Sequence, residues 1–407
     1  MKKFDVPTYF RSSIIASIKG IQKLRDPRKQ DFSPTEIDLG KVILIIPRHF
    51  GFCYGVENAI EIAYKTIQEN PNKRIFLLSE IIHNPHVNKD LNEMGIRFIQ
   101  DNEGNQLIDW NEITKDDIVI TPAFGTTKEI ETKVSELGVD LKTHNTTCPF
   151  VEKVWNKATK LGNDDYTVVI HGKHEHEETK ATFSHTNAAT KAVIVKNIAE
   201  AQFLGDVIIG KKNKADFYTF FEDKFSVGFD PAIDLVKIGV VNQTTMLATE
   251  TQEIAEYLRT RLIEKYGSDE LNNHYADTRD TLCYATNDNQ SATLKLLETG
   301  ADLAFVIGGY NSSNTSHLFE ILEAKFPSYF ISSADSLIDN QTIHHYHLDQ
   351  QKIKISHDYL PKKEPLRIII TSGASCPDSV VNEVISKLLS FLSIDEETFK
   401  NALEGLV

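Results

Sequence analysis

Cysteine is scarce in this chain, with four residues in 407. Cys53, Cys148, Cys283 and Cys376 lie far apart and none sits in a C-x-x-C pair. That excludes a disulfide framework and a standard zinc site, and it suits a reducing compartment. Basic residues are outnumbered, 44 Lys and Arg against 58 Asp and Glu, for a net charge of −14. Such a balance argues against a general nucleic-acid binder and against attachment to an anionic membrane surface. No apolar run approaches the roughly 20 residues needed to cross a bilayer. The first residues lack the long apolar core of a secretory signal, so a cytoplasmic location is expected and a plastid one is disfavoured by Asp5 and Asp26. Also missing is a G-x-G-x-x-G loop after a strand, so electrons, if the chemistry needs them, come from a partner and not from a bound dinucleotide.

What is present is one device used three times. In Asn145-Thr146-Thr147-Cys148-Pro149-Phe150 a turn delivers a cysteine to a helix, with Thr147 as the expected cap and Pro149 in the first turn. Val151, Val154, Ala158 and Leu161 then recur at helical spacing. Gly51-Phe52-Cys53-Tyr54 follows the apolar run Val42 to Ile46 and leads into a second such helix. Thr281-Leu282-Cys283-Tyr284 leads into a third, carrying Ala292 and Leu296. A thiol at the positive end of a helix is biased toward thiolate. A single free cysteine is usually a small buried hydrophobe; three in one context point to a shared site.

The expected class is α/β with three α/β units. Residues 1–38 read as an appendage with one amphipathic helix near Ile14 to Leu24, followed by units at 39–147, 148–280 and 281–392 and an acidic helical tail at 393–407. The second unit carries an insertion near 211–229, rich in Lys and Phe. Apolar strands end in polar turns throughout. Ile75 to Leu78 leads to His83, Asp117 to Ile120 to Thr121-Pro122-Ala123-Phe124-Gly125-Thr126-Thr127, and Tyr166 to Ile170 to His171-Gly172-Lys173-His174-Glu175-His176-Glu177-Glu178. Val236 to Val241 leads to Asn242-Gln243-Thr244-Thr245, and Leu303 to Ile307 to Gly308-Gly309-Tyr310-Asn311-Ser312-Ser313-Asn314. Arg367 to Ile370 ends in Thr371-Ser372-Gly373-Ala374-Ser375-Cys376. Open α/β sheets bind ligands at the C-terminal ends of their strands, and Gly with hydroxyls at a helix start makes an anion cradle.

Three thiolates do not complete a four-iron cube, which takes one ligand per iron. The iron left open would act as a Lewis acid toward a hydroxyl and pass electrons. Zinc on three cysteines and a water is the formal rival. Cys376 is expected to be structural. Near such a centre the chain offers an acid (Glu178), hydroxyls (Thr244, Thr245) and imidazoles (His83, His176), with the Ser312-Ser313-Asn314 and Ser375 loops suited to a phosphate tail.

The stretches GFCYGVENAIEIAY, EIIHNPHVN, TTCPFVEKVW, HGKHEHEETKAT, VNQTTML, GGYNSSNTSHL and TSGASCPD, in order over roughly residues 42–388, resemble the 4-hydroxy-3-methylbut-2-enyl diphosphate reductase family, last in the methylerythritol phosphate route to isoprenoids. The wording is most like its plant and cyanobacterial branch. The resemblance implies a pseudo-threefold fold around a [4Fe–4S] cluster held by Cys53, Cys148 and Cys283, with one iron open. It implies an allylic diphosphate substrate contacted by His83, His176, Ser312, Ser313, Asn314 and Ser375, with Gln243 nearby. Glu178 would donate a proton and Thr244 would position the substrate hydroxyl. The electron donor would be ferredoxin or flavodoxin, and the products isopentenyl and dimethylallyl diphosphate. Many bacterial members carry histidine where this chain has Phe124, which cannot donate to a phosphate, so that contact is either missing or supplied by Thr126 or Thr127. A shift of the histidine-rich loop would substitute Glu177 for Glu178 and His174 for His176. A redox-neutral hydro-lyase and an iron–sulfur sensor or carrier are the other readings of the same residues.

Overall fold

A computed structural model describes residues 4–28, 30–278, 281 and 283–406; Lys2, Lys3 and Leu282 of the third cysteine turn lie outside the described residues. The chain is α/β, with three sheets among the described residues. It forms two compact units, one of residues 1–57, 83–87 and 284–407, the other of residues 58–82 and 88–283. A division between 283 and 284 falls close to the boundary expected at 280, none falls at 147 because residues 88–283 form one unit, and residues 83–87 join the unit built by the N- and C-terminal parts.

In the first unit a seven-stranded sheet runs in the order Thr35–Asp38, Val42–Ile46, Leu366–Ser372, Leu303–Ile307, Ser328–Ile331, Thr342–His347, Lys352–His357. The four strands from Val42–Ile46 to Ser328–Ile331 are parallel to one another, and the strands flanking them on either side pair antiparallel. Successive strand residues face opposite sides, and here both sides are apolar. Leu44, Ile46, Ile368 and Ile370 join one buried cluster, while Ile45, Ile369, Ala304 and Val306 join the other. Both faces are therefore covered by helices, as a parallel sheet requires.

Residues 4–38 are not an appendage. Helix Ser13–Arg25 places Ile15 and Ile18, both fully buried, in the core with helix Asp378–Phe391. Strand Thr35–Asp38 extends the sheet, and the buried Gln22 amide donates to Thr35 Oγ1 and to the Pro47 carbonyl. The amphipathic period showed an apolar stripe but carried no information on what would cover it.

The second unit holds two parallel sheets. One has the order Arg97–Phe98, Ile75–Leu77, Ile118–Ile120. The other has the order Ala192–Val195, Thr167–His171, Ile238–Asn242, Tyr275–Ala276. Helix Pro149–Asn163 packs Val154, Ala158 and Leu161 on the second sheet. The expected insertion near 211–229 forms helix Lys214–Phe220, whose buried Phe217 joins the core, and Lys224 to Ser226 bond back to strand Ala192–Val195. Among the described residues, no helix is long and apolar enough to cross a membrane.

Candidate active site

Each sheet delivers one cysteine to a helix start. Strand Val42–Ile46 precedes Cys53 and helix Tyr54–Glu69; the bridge of Thr121 with Asn145 precedes Cys148 and helix Pro149–Asn163; strand Tyr275–Ala276 precedes Cys283 and helix Tyr284–Leu296. The residue capping Pro149–Asn163 is Cys148 itself, and its thiol makes no capping bond. Thr147, the expected cap, instead donates its N–H and hydroxyl to Asn145 Oδ1. The Cys53 N–H donates to the Ala374 carbonyl and the Cys148 N–H to the Ala123 carbonyl. Cys53 and Cys148 are half-buried and Cys283 is buried. Cys53 belongs to the first unit, Cys148 and Cys283 to the second. Among the described residues, no three or more His, Cys, Asp or Glu side chains are grouped to hold a metal ion. Cys376 differs from the other three: it is fully buried, its thiol points at the Pro377 carbonyl, and burial pushes that thiol well above its ordinary pKa.

In the first unit three loops meet. Ser312 caps helix Ser313–Glu323, accepting from the Thr315 N–H and hydroxyl, which leaves the Ser312 proton for a ligand. Ser313 and Asn314 open that helix, both buried, with their backbone N–H groups at its positive end. Asn314 Oδ1 accepts from the Ala374 N–H, while its buried Nδ2 has no protein partner. A buried amide left so invites an acceptor. Ser375 Oγ donates to the His83 carbonyl, and Asn311 Nδ2 lies 3.3 Å from His83 Nδ1. Glycine is obligatory here for space. A Cβ on Gly309 would overlap the His83 carbonyl oxygen, and one on Gly373 would overlap Thr315 Oγ1. His83, Ser312, Ser313, Asn314 and Ser375, expected as phosphate contacts, are thus gathered in one place, beside Cys53 through the Ala374 peptide.

In the second unit the pair Glu178 and Thr244 is buried. The Thr244 N–H donates to Glu178 Oε1 and its hydroxyl to Oε2, the latter at 3.0 Å. His176 caps helix Glu177–Asn187, with Nδ1 accepting from the Glu178 N–H at 3.2 Å. In the neutral ring the proton then sits on Nε2, a donor. Gln243 Oε1 accepts from the Lys173 N–H and the Thr179 hydroxyl, and its Nε2 donates to Thr245 Oγ1. Glu177 and His174 are only half-buried. Phe124 is buried, and the Thr127 hydroxyl caps helix Lys128–Glu136.

Thr179 and Thr315, which fix Gln243 and Ser312, were missed in the sequence. The signal was there: the same interval separates Gly172 from Thr179 and Gly308 from Thr315.

Residues 44–389 match the family model described as LytB protein. The chain is 42% identical over 355 residues to the 4-hydroxy-3-methylbut-2-enyl diphosphate reductase of a Cyanothece species, covering 87% of this chain and 85% of that protein. It is 42% identical over 387 residues to the reductase of that name from Nostoc punctiforme, covering 95% and 92%. The fold resembles the solved E-1-hydroxy-2-methyl-but-2-enyl-4-diphosphate reductase from Plasmodium falciparum, with a TM-score of 0.60 at 22% identity over 86% of this chain and 88% of that one. It also resembles a solved (E)-4-hydroxy-3-methyl-but-2-enyl diphosphate reductase, with a TM-score of 0.51 at 24% identity over 85% and 99%.

Proposed function

The chain belongs to the LytB family, and from that membership we propose how its residues act. It is an oxidoreductase that converts (E)-4-hydroxy-3-methylbut-2-enyl diphosphate to isopentenyl and dimethylallyl diphosphate, in isoprenoid precursor synthesis. The balance is two electrons and two protons in: the allylic C–O bond breaks, the oxygen leaves as water, and a C–H bond forms.

The donor set suits a [4Fe–4S] cluster with three thiolate ligands and one open iron. Cys53, Cys148 and Cys283 would hold it, since each opens a helix and Cys376, fully buried beneath Pro377, is spent on packing. Bound there, the cluster supplies electrons and a Lewis acid for the allylic oxygen. An acidic ferredoxin or a flavodoxin is the reductant.

The chain's own residues bind, orient and protonate. Ser312, Ser313, Asn314, Ser375 and His83 hold the diphosphate by hydrogen bonds and a helix N-terminus, with His176 Nε2 as a further donor. Remote binding energy is converted into orientation at the reacting carbon. Glu178 gives the proton that lets the hydroxyl leave, and Thr244 passes it, because the Thr244 hydroxyl already touches the Glu178 carboxylate. Gln243 keeps the Thr244 turn in register through Lys173 and Thr179.

The observation that carries the reading is the Ala374 peptide. Its N–H is held by Asn314 of the phosphate loop and its carbonyl by Cys53. The test is anaerobic turnover of the diphosphate alcohol with a chemical reductant. A hydro-lyase would turn over without reductant, and a sensor or carrier would release no product.

A further inference from the structure

Two imidazoles are expected at the diphosphate, and each meets a donor at Nδ1. A neutral imidazole has one N–H, so a group that donates to one ring nitrogen sends the proton to the other. For His176 the donor is main chain, the Glu178 N–H of the helix that His176 caps. His83 sits differently. The helix after it, Pro85–Glu93, starts from Asn84, whose Oδ1 accepts from the His86 and Val87 N–H groups at 3.0 and 3.3 Å. The His83 ring meets a side chain of another loop instead, with Asn311 Nδ2 at 3.3 Å from its Nδ1. An amide nitrogen can only donate, so Nδ1 accepts and the proton of the neutral ring is held on Nε2. The main chain of His83 is fixed in the same corner. Ser375 Oγ donates to its carbonyl at 3.1 Å, and a Cβ on Gly309 would overlap that carbonyl oxygen and lie 3.1 Å from Asn311 Oδ1. The Asn311 oxygen thus lies toward Gly309 and its nitrogen toward the ring.

We propose that Asn311 is a positioning residue whose amide keeps the His83 proton on Nε2, so that this ring meets the diphosphate as a hydrogen-bond donor. The inference rests on the reductase reading above, which places His83 among the phosphate contacts. The other tautomer would turn an Nε2 lone pair against a phosphate oxygen, leaving two acceptors face to face. A donor oriented before the ligand arrives costs less to order on binding. Asn311 directly precedes Ser312, Ser313 and Asn314. One loop therefore supplies contacts of its own and also sets a ring 228 residues away in the chain. Asn311 acts through His83 and not on the ligand itself, so its effect vanishes when the ring is replaced by a donor that has no tautomers.

The test uses the full-length, cluster-loaded protein and two readouts, the Kd for inorganic pyrophosphate by calorimetry and the substrate KM and kcat with reduced methyl viologen. The variants are Asn311→Leu, His83→Gln and the two together. Glutamine offers an amide N–H in place of Nε2. Asn311→Leu should weaken pyrophosphate binding about fivefold, the size of one neutral hydrogen bond. The KM should rise by a like factor while kcat stays within about twofold, the pattern of lost ground-state binding. In the His83→Gln background Asn311→Leu should change neither value, a coupling that thermal melts of all four proteins separate from loss of fold. Should the leucine protein fail to fold, Asn311→Ser, whose shorter hydroxyl falls away from the ring, is read in the same way. Unchanged or tighter pyrophosphate binding in Asn311→Leu overturns the inference, as does an equal loss in both backgrounds. Wild-type protein that binds pyrophosphate but does not turn over the diphosphate alcohol defeats the reductase reading instead, so the two failures are distinct.

Discussion

Glu178 and Asn314 occupy the same place in two copies of one local structure. The Thr244 N–H donates to the Glu178 carboxylate as the Ala374 N–H donates to the Asn314 amide oxygen. Around them the Gly172 N–H bonds the Val195 carbonyl as the Gly308 N–H bonds that of Ile331, and the Gln243 N–H bonds that of His171 as the Gly373 N–H bonds that of Ile307. A Cβ on Gly172 or on Gly308 would meet a threonine Oγ1, that of Thr179 or Thr315, at 2.6 Å in each case. On the proposed reading, one scaffold would serve two chemical purposes. A neutral amide at this position suits holding an anion; a carboxylate suits giving a proton. The equivalence also fixes which glutamate faces inward, since Glu178 and not Glu177 stands at the Asn314 position.

Glu178→Gln should lower kcat by ~10²–10⁴ and change KM little, the cost of losing a general acid while its shape is kept. Glu177→Gln should stay near wild type. Single-turnover kinetics on both variants check the order, and a reversed order would move the acid to Glu177.

Gly373→Ala should damage the phosphate cradle without touching the substrate. Its new Cβ would overlap Thr315 Oγ1 and lie 3.0 Å from Thr315 Cβ. We expect a loss of roughly 1–3 kcal/mol in stability. The substrate KM should rise about tenfold, equivalent to one lost hydrogen bond. Thermal melts and steady-state kinetics read the two effects, and adding Thr315→Ala should recover part of the stability but not the KM.

Ile18→Ala should cost about 2–5 kcal/mol, as for a buried aliphatic in any core. A surface appendage would show almost no change in a urea melt. Here the sequence was legible only in part. The strands and the three cysteine turns could be located because apolar runs and Gly, Pro and hydroxyl residues are local signals. The partner of an amphipathic helix is not local, and neither is the contact of Gly373 with Thr315. The histidine-rich loop is likewise ambiguous in sequence; in the fold His176 caps its helix and the Glu178 carboxylate bonds Thr244.

Asp117→Asn should destabilise the protein by ~1–3 kcal/mol at neutral pH, an effect that fades in acid. Burial would raise the Asp117 carboxyl, but the Arg74 guanidinium and the Thr114 N–H and hydroxyl hold it below its ordinary value of 3.8. A carboxylate depressed in the folded state stabilises it above the unfolded pKa and loses that contribution as pH falls through the folded one. Urea melts at neutral pH and at stepwise lower pH should show wild type and variant converging.

The most direct test of the central claim, that Cys53, Cys148 and Cys283 hold one cluster, is iron and sulfide analysis of oxygen-free protein, wild type against single Cys→Ala variants. The account predicts close to four irons and four sulfides per wild-type chain, loss of most of both in any of those three variants, and full retention in Cys376→Ala. Iron retained in the Cys53→Ala, Cys148→Ala or Cys283→Ala protein, or none in the wild type, would contradict it.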